Sequence, residues 1–303
     1  GSYAAKILAD SPVAYWQFEE TQGLVASDTS IHGNDGTYVG NPVHTTPSPI
    51  MDGSSGYGVA LNGTGDYVRG GDFLGDPSVA TMEGWVYLTK SGTSTWRIMA
   101  NRSELKPLIL LDLDGESELR FMIQSSGSSS IILRHSSTTF KDRWVHVVGV
   151  MDNINNRHAL YVDGIEVAVN MTHLDGSMAT DDFIVGANNY GSGIGNFWQG
   201  SVDDVAVYDQ ALTSDQILQH YLSGKGLQVE DSDTLPDSWE MQHFGNLDQT
   251  PEGDFDQDGF TNLQEYQNNT RPTVANMEGS YAAKILADSP VAYWQFEETQ
   301  GLV

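Results

Sequence analysis

The chain has 303 residues, no cysteine and a formal net charge of −27. That excludes disulfide stapling and thiolate metal sites, leaving oxygen as the metal-ligand chemistry. The charge disfavours nucleic acid and anionic membranes as partners and favours divalent cations.

No stretch approaches the roughly 18 apolar residues of a membrane span, and no charged-apolar-small signal segment opens the chain. A soluble chain without membrane insertion is expected, with any export signal outside this stretch. In chain order, SYAAKILAD reads as a short helix that Pro12 ends. The run VAYWQFEE then alternates, placing Ala14, Trp16 and Phe18 on one face of a strand. Apolar and β-branched runs follow between turn signals: GYGVALNG, GDYVRG, TMEGWVYL, WRIMANR, LILLDL, ELRFMI, SIILRH, RWVHVVGVM, HALYV, IEVAV, DDFIVGA and SVDDVAVYD. Asp114-Gly115 and Asp163-Gly164 are dipeptides that tolerate positive φ in tight hairpins. Many short strands joined this way predict a two-sheet antiparallel sandwich over residues 1–226. The segment LTSDQILQHYL predicts a closing helix, capped at Thr213 or Ser214 and stopped at Gly224.

Seven segments, in order, carry a resemblance: YAAKILADSPVAYWQFEETQG, SDTSIHGNDGTYVG, ALNGTGDYV, MEGWVY, RWVHVVGVMD, LYVDGIEV and WQGSVDDVAVYDQALTSDQI. Together they resemble the laminin-G-like domains of bacterial secreted proteins, which belong to the concanavalin A-like lectin and glucanase fold. The resemblance implies a mainly β jelly-roll sandwich of two curved sheets whose first and last strands are neighbours.

That fold hosts lectins, adhesion modules, hydrolases and inert spacers, so function must be argued from a site. A glycosidase needs two carboxylates flanking the scissile bond. Asp112, Asp114, Glu116 and Glu118 alternate, but Asp114-Gly115 reads as a hairpin tip from which they fan into solvent, so no enzyme is expected. His146, inside a strand, reads as a packed histidine. Sugar sites join an aromatic face to amides and charged groups. The loop GANNYGSGIGNFW offers Asn188, Asn189, Tyr190 and Asn196, and Trp96 with Arg97 follows the turn SGTST. Against this stands the plainer reading that Phe197 and Trp198 simply start a core strand.

Residues 227–273 read as a small helical calcium module. DFDQDGFTNLQE, residues 254–265, sets Asp254, Asp256, Asp258, the Phe260 carbonyl, Asn262 and Glu265 at positions one, three, five, seven, nine and twelve, with Gly259 sixth. That is the spacing of an EF-hand Ca2+ loop, in which six to eight oxygens surround a hard cation. Laid on the same template, VEDSDTLPDSWE offers Asp231, Asp233, the Leu235 carbonyl, Asp237 and Glu240. It departs at Val229 and Thr234. A solvated acidic helix start, with Asp233 as cap and Pro236 just inside, is an equal alternative. The paired loops resemble thrombospondin type 3 and dockerin-like modules of bacterial surface proteins.

Residues 1–25 return letter for letter as 279–303, so residues 274–303 read as the start of a further repeat in a tandem array. That copy, bearing Val291, Tyr293, Trp294 and Phe296, is an orphan strand able to exchange head-to-tail into a neighbouring molecule. The expectation is a calcium-binding repeat of a secreted or cell-surface adhesin whose sandwich contacts glycan or extracellular matrix. The alternatives are a spacer or filament repeat without ligand and, third, an exported glycan hydrolase.

Overall fold

The computed structural model describes residues 2–52, 56–102, 107–127, 129–178, 181–227 and 233–275. Asp231 and the repeated segment 279–303 therefore lie outside the described residues. The chain divides into two compact units, Gly1–Gln228 and Val229–Val303.

The first unit opens with helix α1 (Tyr3–Ala9), capped by the Ser2 hydroxyl. Its strands are β1 (Ala14–Trp16), β2 (Val25–Ala26), β3 (Gly36–Val39), β4 (Val43–Pro47), β5 (Tyr57–Asn62), β6 (Tyr67–Arg69), β7 (Val79–Leu88), β8 (Thr95–Arg102) and β9 (Leu108–Asp114). They continue as β10 (Glu118–Gln124), β11 (Ser130–Ser136), β12 (Trp144–Asp152), β13 (Arg157–Val162), β14 (Ile165–Asn170), β15 (Phe183–Val185), β16 (Asn188–Asn189), β17 (Ile194–Gly195) and β18 (Gln199–Tyr208). Helix α2 (Ser214–Gly224) closes the unit, with Thr213 and Gln216 forming the expected capping box.

Two antiparallel sheets make the sandwich. One runs β14-β13-β12-β7-β18-β5-β4, with β1 also paired to β18; the other runs β11-β10-β9-β8-β15-β6-β3-β2. Ala14, Tyr15 and Trp16 face Val207, Ala206 and Val205, so the first and last strands are indeed neighbours. Among the described residues, five pairing strands fall outside the alternating runs: β2 is two residues long, β3 contains Gly36, β4 (VHTTP) carries a register shift, and β16 and β17, two residues each, pair only with each other.

Strand alternation sorts the residues into layers. Ala14, Trp16, Phe18, Met82, Val86, Phe121, Phe183, Trp198, Val205 and Val207 fill the space between the sheets. The opposite face of the first sheet buries Tyr3, Ile7, Tyr15, Trp85, Tyr161, Tyr208 and Ile217 in a second cluster, to which α1 and α2 contribute. Covered on both sides, β7, β12 and β18 read as nearly unbroken buried runs.

That covered face also holds charge. Glu83 is fully buried; His146 Nε2 donates to it at 3.0 Å and His220 Nδ1 at 3.0 Å, while His220 Nε2 reaches Asp10 at 2.9 Å. His146 is thus a packed histidine, as expected. Burial alone would lower the His220 pKa, but the Glu83 and Asp10 carboxylates outweigh it and push it up to about 9. Burial likewise works against the Glu83 anion, and His220 with His146 overcomes it, holding that carboxyl far below its usual range. A histidine whose folded pKa is raised stabilises fully below its unfolded value near 6.5, and that contribution is lost as pH climbs through about 9. Chemical denaturation across pH 6 to 10 is expected to show stability falling by a few kcal/mol in that window, a slope the His220→Gln variant loses.

Candidate functional site

The outward face of the second sheet carries a chain of paired charges. β9 lies between β8 and β10, so Asp112 faces Arg97 on one side and Arg120 on the other. Arg97 Nη1 donates to Asp112 Oδ2, and Arg120 donates to Asp112 through Nε at 2.8 Å and Nη2 at 2.9 Å. Arg120 Nη1 also reaches Asp114 at 2.7 Å. The expected fanning of Asp112 into solvent is therefore wrong. β9 runs on through Asp114 before it turns, leaving Asp112 mid-strand and fully buried. Glu118 pairs with Arg134, and Glu116 accepts from the Gly92 amide at 2.9 Å.

The residues expected to bind a ligand separate into two groups. Trp96 faces Leu113 across β8–β9, is 2% exposed and packs between the sheets, so it is no surface platform. Its neighbour Arg97 points the other way because successive strand side chains alternate. The loop residues gather beside Arg97. The Asn196 carbonyl accepts from the Arg97 amide at 2.8 Å, and Asn196 Nδ2 donates to the Thr95 carbonyl at 2.9 Å. The Tyr190 hydroxyl donates to Asn196 Oδ1, and the ring, 36% exposed, sits 4.9 Å beneath the Arg102 guanidinium. Asn189 accepts from the Gly191 amide at 2.9 Å. Asn188, in β16 where it packs against β8, is fully buried, yet neither its Oδ1 nor its Nδ2 has a hydrogen-bond partner among the described residues.

Arg102 was not anticipated from the sequence. In a regular strand, positions 97 and 102 point to opposite faces; a register shift between Arg97 and Met99 changes that parity.

In the second unit, helix α3 (Asp237–Phe244) starts after Pro236 without a side-chain cap, and Asp233 Oδ1 accepts the Leu235 amide at 2.7 Å. The alternative with Asp233 as cap and Pro236 inside the helix is thereby corrected. Asp237 is partly exposed, but Glu240, one turn into α3, is fully buried rather than solvated. Helix α4 (Asn262–Asn268) starts from a Thr261–Gln264 capping box. Ahead of it the acidic loop closes on itself. Asp254, Asp256 and Asp258 bring ligand oxygens within 4.8 Å of one another. Backbone amides of Asp258, Gly259 and Phe260 donate to carboxylates of the same loop at 3.1, 2.9 and 2.8 Å. Gly259 adopts φ +96°, as the sharp bend demands. Asn262 and Glu265 are fully buried. Among the described residues, neither Asn262 Oδ1 nor buried Asp256 Oδ2 has a partner. Burial, together with Asp258 and Asp254, raises the Asp256 carboxyl, so the loop resists carrying three charges without a cation. These donors fit a hard divalent ion.

Residues 62–218 match the family model of the concanavalin A-like lectin/glucanases superfamily. No curated protein matches the sequence. Among solved structures, the botulinum neurotoxin serotype D ligand binding domain in complex with N-acetylneuraminic acid aligns with TM-score 0.57 at 16% identity, covering 73% of this chain and 52% of that one. Domain 4 of AbnA, a GH43 extracellular arabinanase from Geobacillus stearothermophilus, in complex with arabinotriose, aligns with TM-score 0.51 at 21% identity, covering 70% of this chain and 98% of that domain. The chain thus spans about half the length of the toxin domains it matches, and at these identities the likeness shows the fold.

Asp112 bridges two arginines in the interior of this face, so removing it takes from Arg97 its carboxylate and leaves Arg120 with Asp114 alone. Asp112→Ala is expected to cost about 3 to 5 kcal/mol by denaturant unfolding, whereas Arg134→Ala, which breaks a more exposed pair, should cost about 1 kcal/mol or less.

Proposed function

The chain belongs to the concanavalin A-like lectin/glucanases superfamily, and from that premise we propose that it is a calcium-binding repeat of a secreted or cell-surface adhesin. Its sandwich binds glycan on the outward face of the second sheet, around Asn188, Arg97, Arg102 and Tyr190. The observation that carries this reading is the exposed Tyr190 ring with the Arg102 guanidinium 4.9 Å from its centre, an aromatic face and a cation of the kind that stacks a pyranose and grips its hydroxyls. That two solved relatives are complexes with N-acetylneuraminic acid and arabinotriose supports a glycan as the ligand class.

The second unit serves as a calcium-stiffened connector between copies. Residues 233–275 hold nine carboxylates against one arginine, and Leu235 and Leu247 are the buried aliphatic side chains among them. With so small a core, ion binding supplies much of the folding free energy. When bound, calcium would take the oxygens of Asp254, Asp256, Asp258, Phe260, Asn262 and Glu265, and its charge would lift the repulsion among the aspartates. The exact copy of residues 1–25 at 279–303 supports an array of such units.

Two measurements test this. On a glycan array, Tyr190→Ala is expected to abolish binding while leaving the melting temperature of the sandwich nearly unchanged, because the ring is exposed; equal binding by parent and variant would exclude this face. In calorimetry, chelation of calcium is expected to remove the second unit's transition and leave that of the sandwich. A profile untouched by chelator would refute the connector role.

A further inference from the structure

Residues 2–18 open the sandwich, and their seat is built from chain that comes later. Tyr3, Ile7, Ala14, Tyr15, Trp16 and Phe18 are each at most 1% exposed. A bulge between Asp203 and Ala206, which buries both Asp203 and Asp204, separates the part of β18 that pairs with β5 from the part that pairs with β1. The Tyr3 amide donates to Asp52 at 2.7 Å, and its hydroxyl accepts from Trp85 Nε1 at 3.1 Å. The Tyr15 amide donates to Asp28 at 2.8 Å and Trp16 Nε1 to the Asn34 carbonyl at 3.0 Å. The Tyr15 hydroxyl donates to Asp204, and His220 donates to Asp10 at 2.9 Å. These partners all lie beyond the exposed stretch 21–25, so the seat keeps its donors, acceptors and sheet edge whichever segment fills it.

The sequence holds that segment twice. Tyr281, Asp288, Ala292, Tyr293, Trp294 and Phe296 repeat Tyr3, Asp10, Ala14, Tyr15, Trp16 and Phe18 within an exact copy. A copy docked in the same register would restore the hydrogen bonds and apolar contacts of the original, so replacing one by the other is neutral in contacts. Connectivity alone decides which is seated. The short tether through residues 21–25 holds the first copy at an effective concentration in the millimolar range, so in a solution of about 10 μM chain a free second copy would hold roughly one seat in a hundred. Trp16→Ala weakens the first copy about a hundredfold or more, which tips that balance.

We propose that the seat of one molecule accepts residues 279–303 of a second, a head-to-tail exchange of the opening segment that links copies of this chain. Neither the glycan face nor the acidic loop takes part. Within one molecule, residues 227–280 would have to return to their own start, because the Met51 amide donates to the Gly224 carbonyl at 2.7 Å, next to the Asp52 that anchors Tyr3. Between molecules no such loop has to close. The contact joins unlike surfaces, the seat of one molecule and the second copy of the next, so it propagates from each molecule to another.

In the full chain, Trp16→Ala is expected to associate in sedimentation runs between about 1 and 100 μM, with a sandwich melting temperature that rises with concentration. Adding Trp294→Ala should restore a monomer and lower that temperature by roughly 5 °C or more at the top of the range. Because the chain has no cysteine, Val207→Cys with Ala292→Cys in the Trp16→Ala chain reports the register directly. Position 292 would face 207 as Ala14 does, within disulfide reach. Peptide mapping after oxidation is expected to find bridges between positions 207 and 292 of separate chains. A monomeric Trp16→Ala chain, equal melting with and without Trp294→Ala, or bridges confined to single chains would overturn the proposal. If Trp16→Ala prevents folding, the two cysteines go into the parent chain at about 1 mM, where concentration matches the tether. Interchain 207-to-292 bridges are expected there too, and finding only 292-to-292 bridges would overturn the proposal equally.

Discussion

A carboxylate removed from water must be answered by an opposite charge or by hydrogen bonds, and the first unit is organised around that requirement. Its larger surface is buried twice, once against the opposing sheet and once beneath two helices, so polar residues needed to shape it cannot escape to solvent. Glu83 is held by His146 and His220, and His220 in turn ties the end of α1 at Asp10 to α2. One buried charge thereby locks two distant pieces of chain against the same sheet. The penalty for disturbing it is larger than that for losing a surface ion pair, because the partner left behind stays desolvated.

On the outward face of the second sheet the same requirement is met differently. Asp112 is satisfied by guanidinium groups from both neighbouring strands, and the rigid fork geometry of arginine sets the spacing of the surface beside Asn188 and Tyr190. Beside it, among the described residues, the buried polar atoms left without a partner include Arg97 Nε and both amide atoms of Asn188.

Strand alternation made much of the fold legible in the sequence: the inward set of Ala14, Trp16 and Phe18, the closing helix and the pairing of first with last strand all follow from it or from the resemblance. What stayed hidden depends on breaks in that regularity. The short β2 to β4 lack a run long enough to show a period. The bulge in β8 changes the parity that would have separated Arg97 from Arg102, and the one in β18 puts Asp203 and Asp204 into the same interior. Trp96 was misplaced for a related reason, since an aromatic beside a glycine-rich turn suggests a surface platform, whereas its strand position turns it inward. The spacing of the acidic loop is purely local, and the structure brings Asp254, Asp256 and Asp258 together as that spacing suggests.

The union of β1 with β18 has a temporal consequence. Tyr15 reaches Asp204, 189 residues later, so a ribosome must release nearly the whole unit before its opening strand finds a seat. Such distant closure slows folding, because the loop entropy of nearly the whole unit is lost before the pairing can offset it.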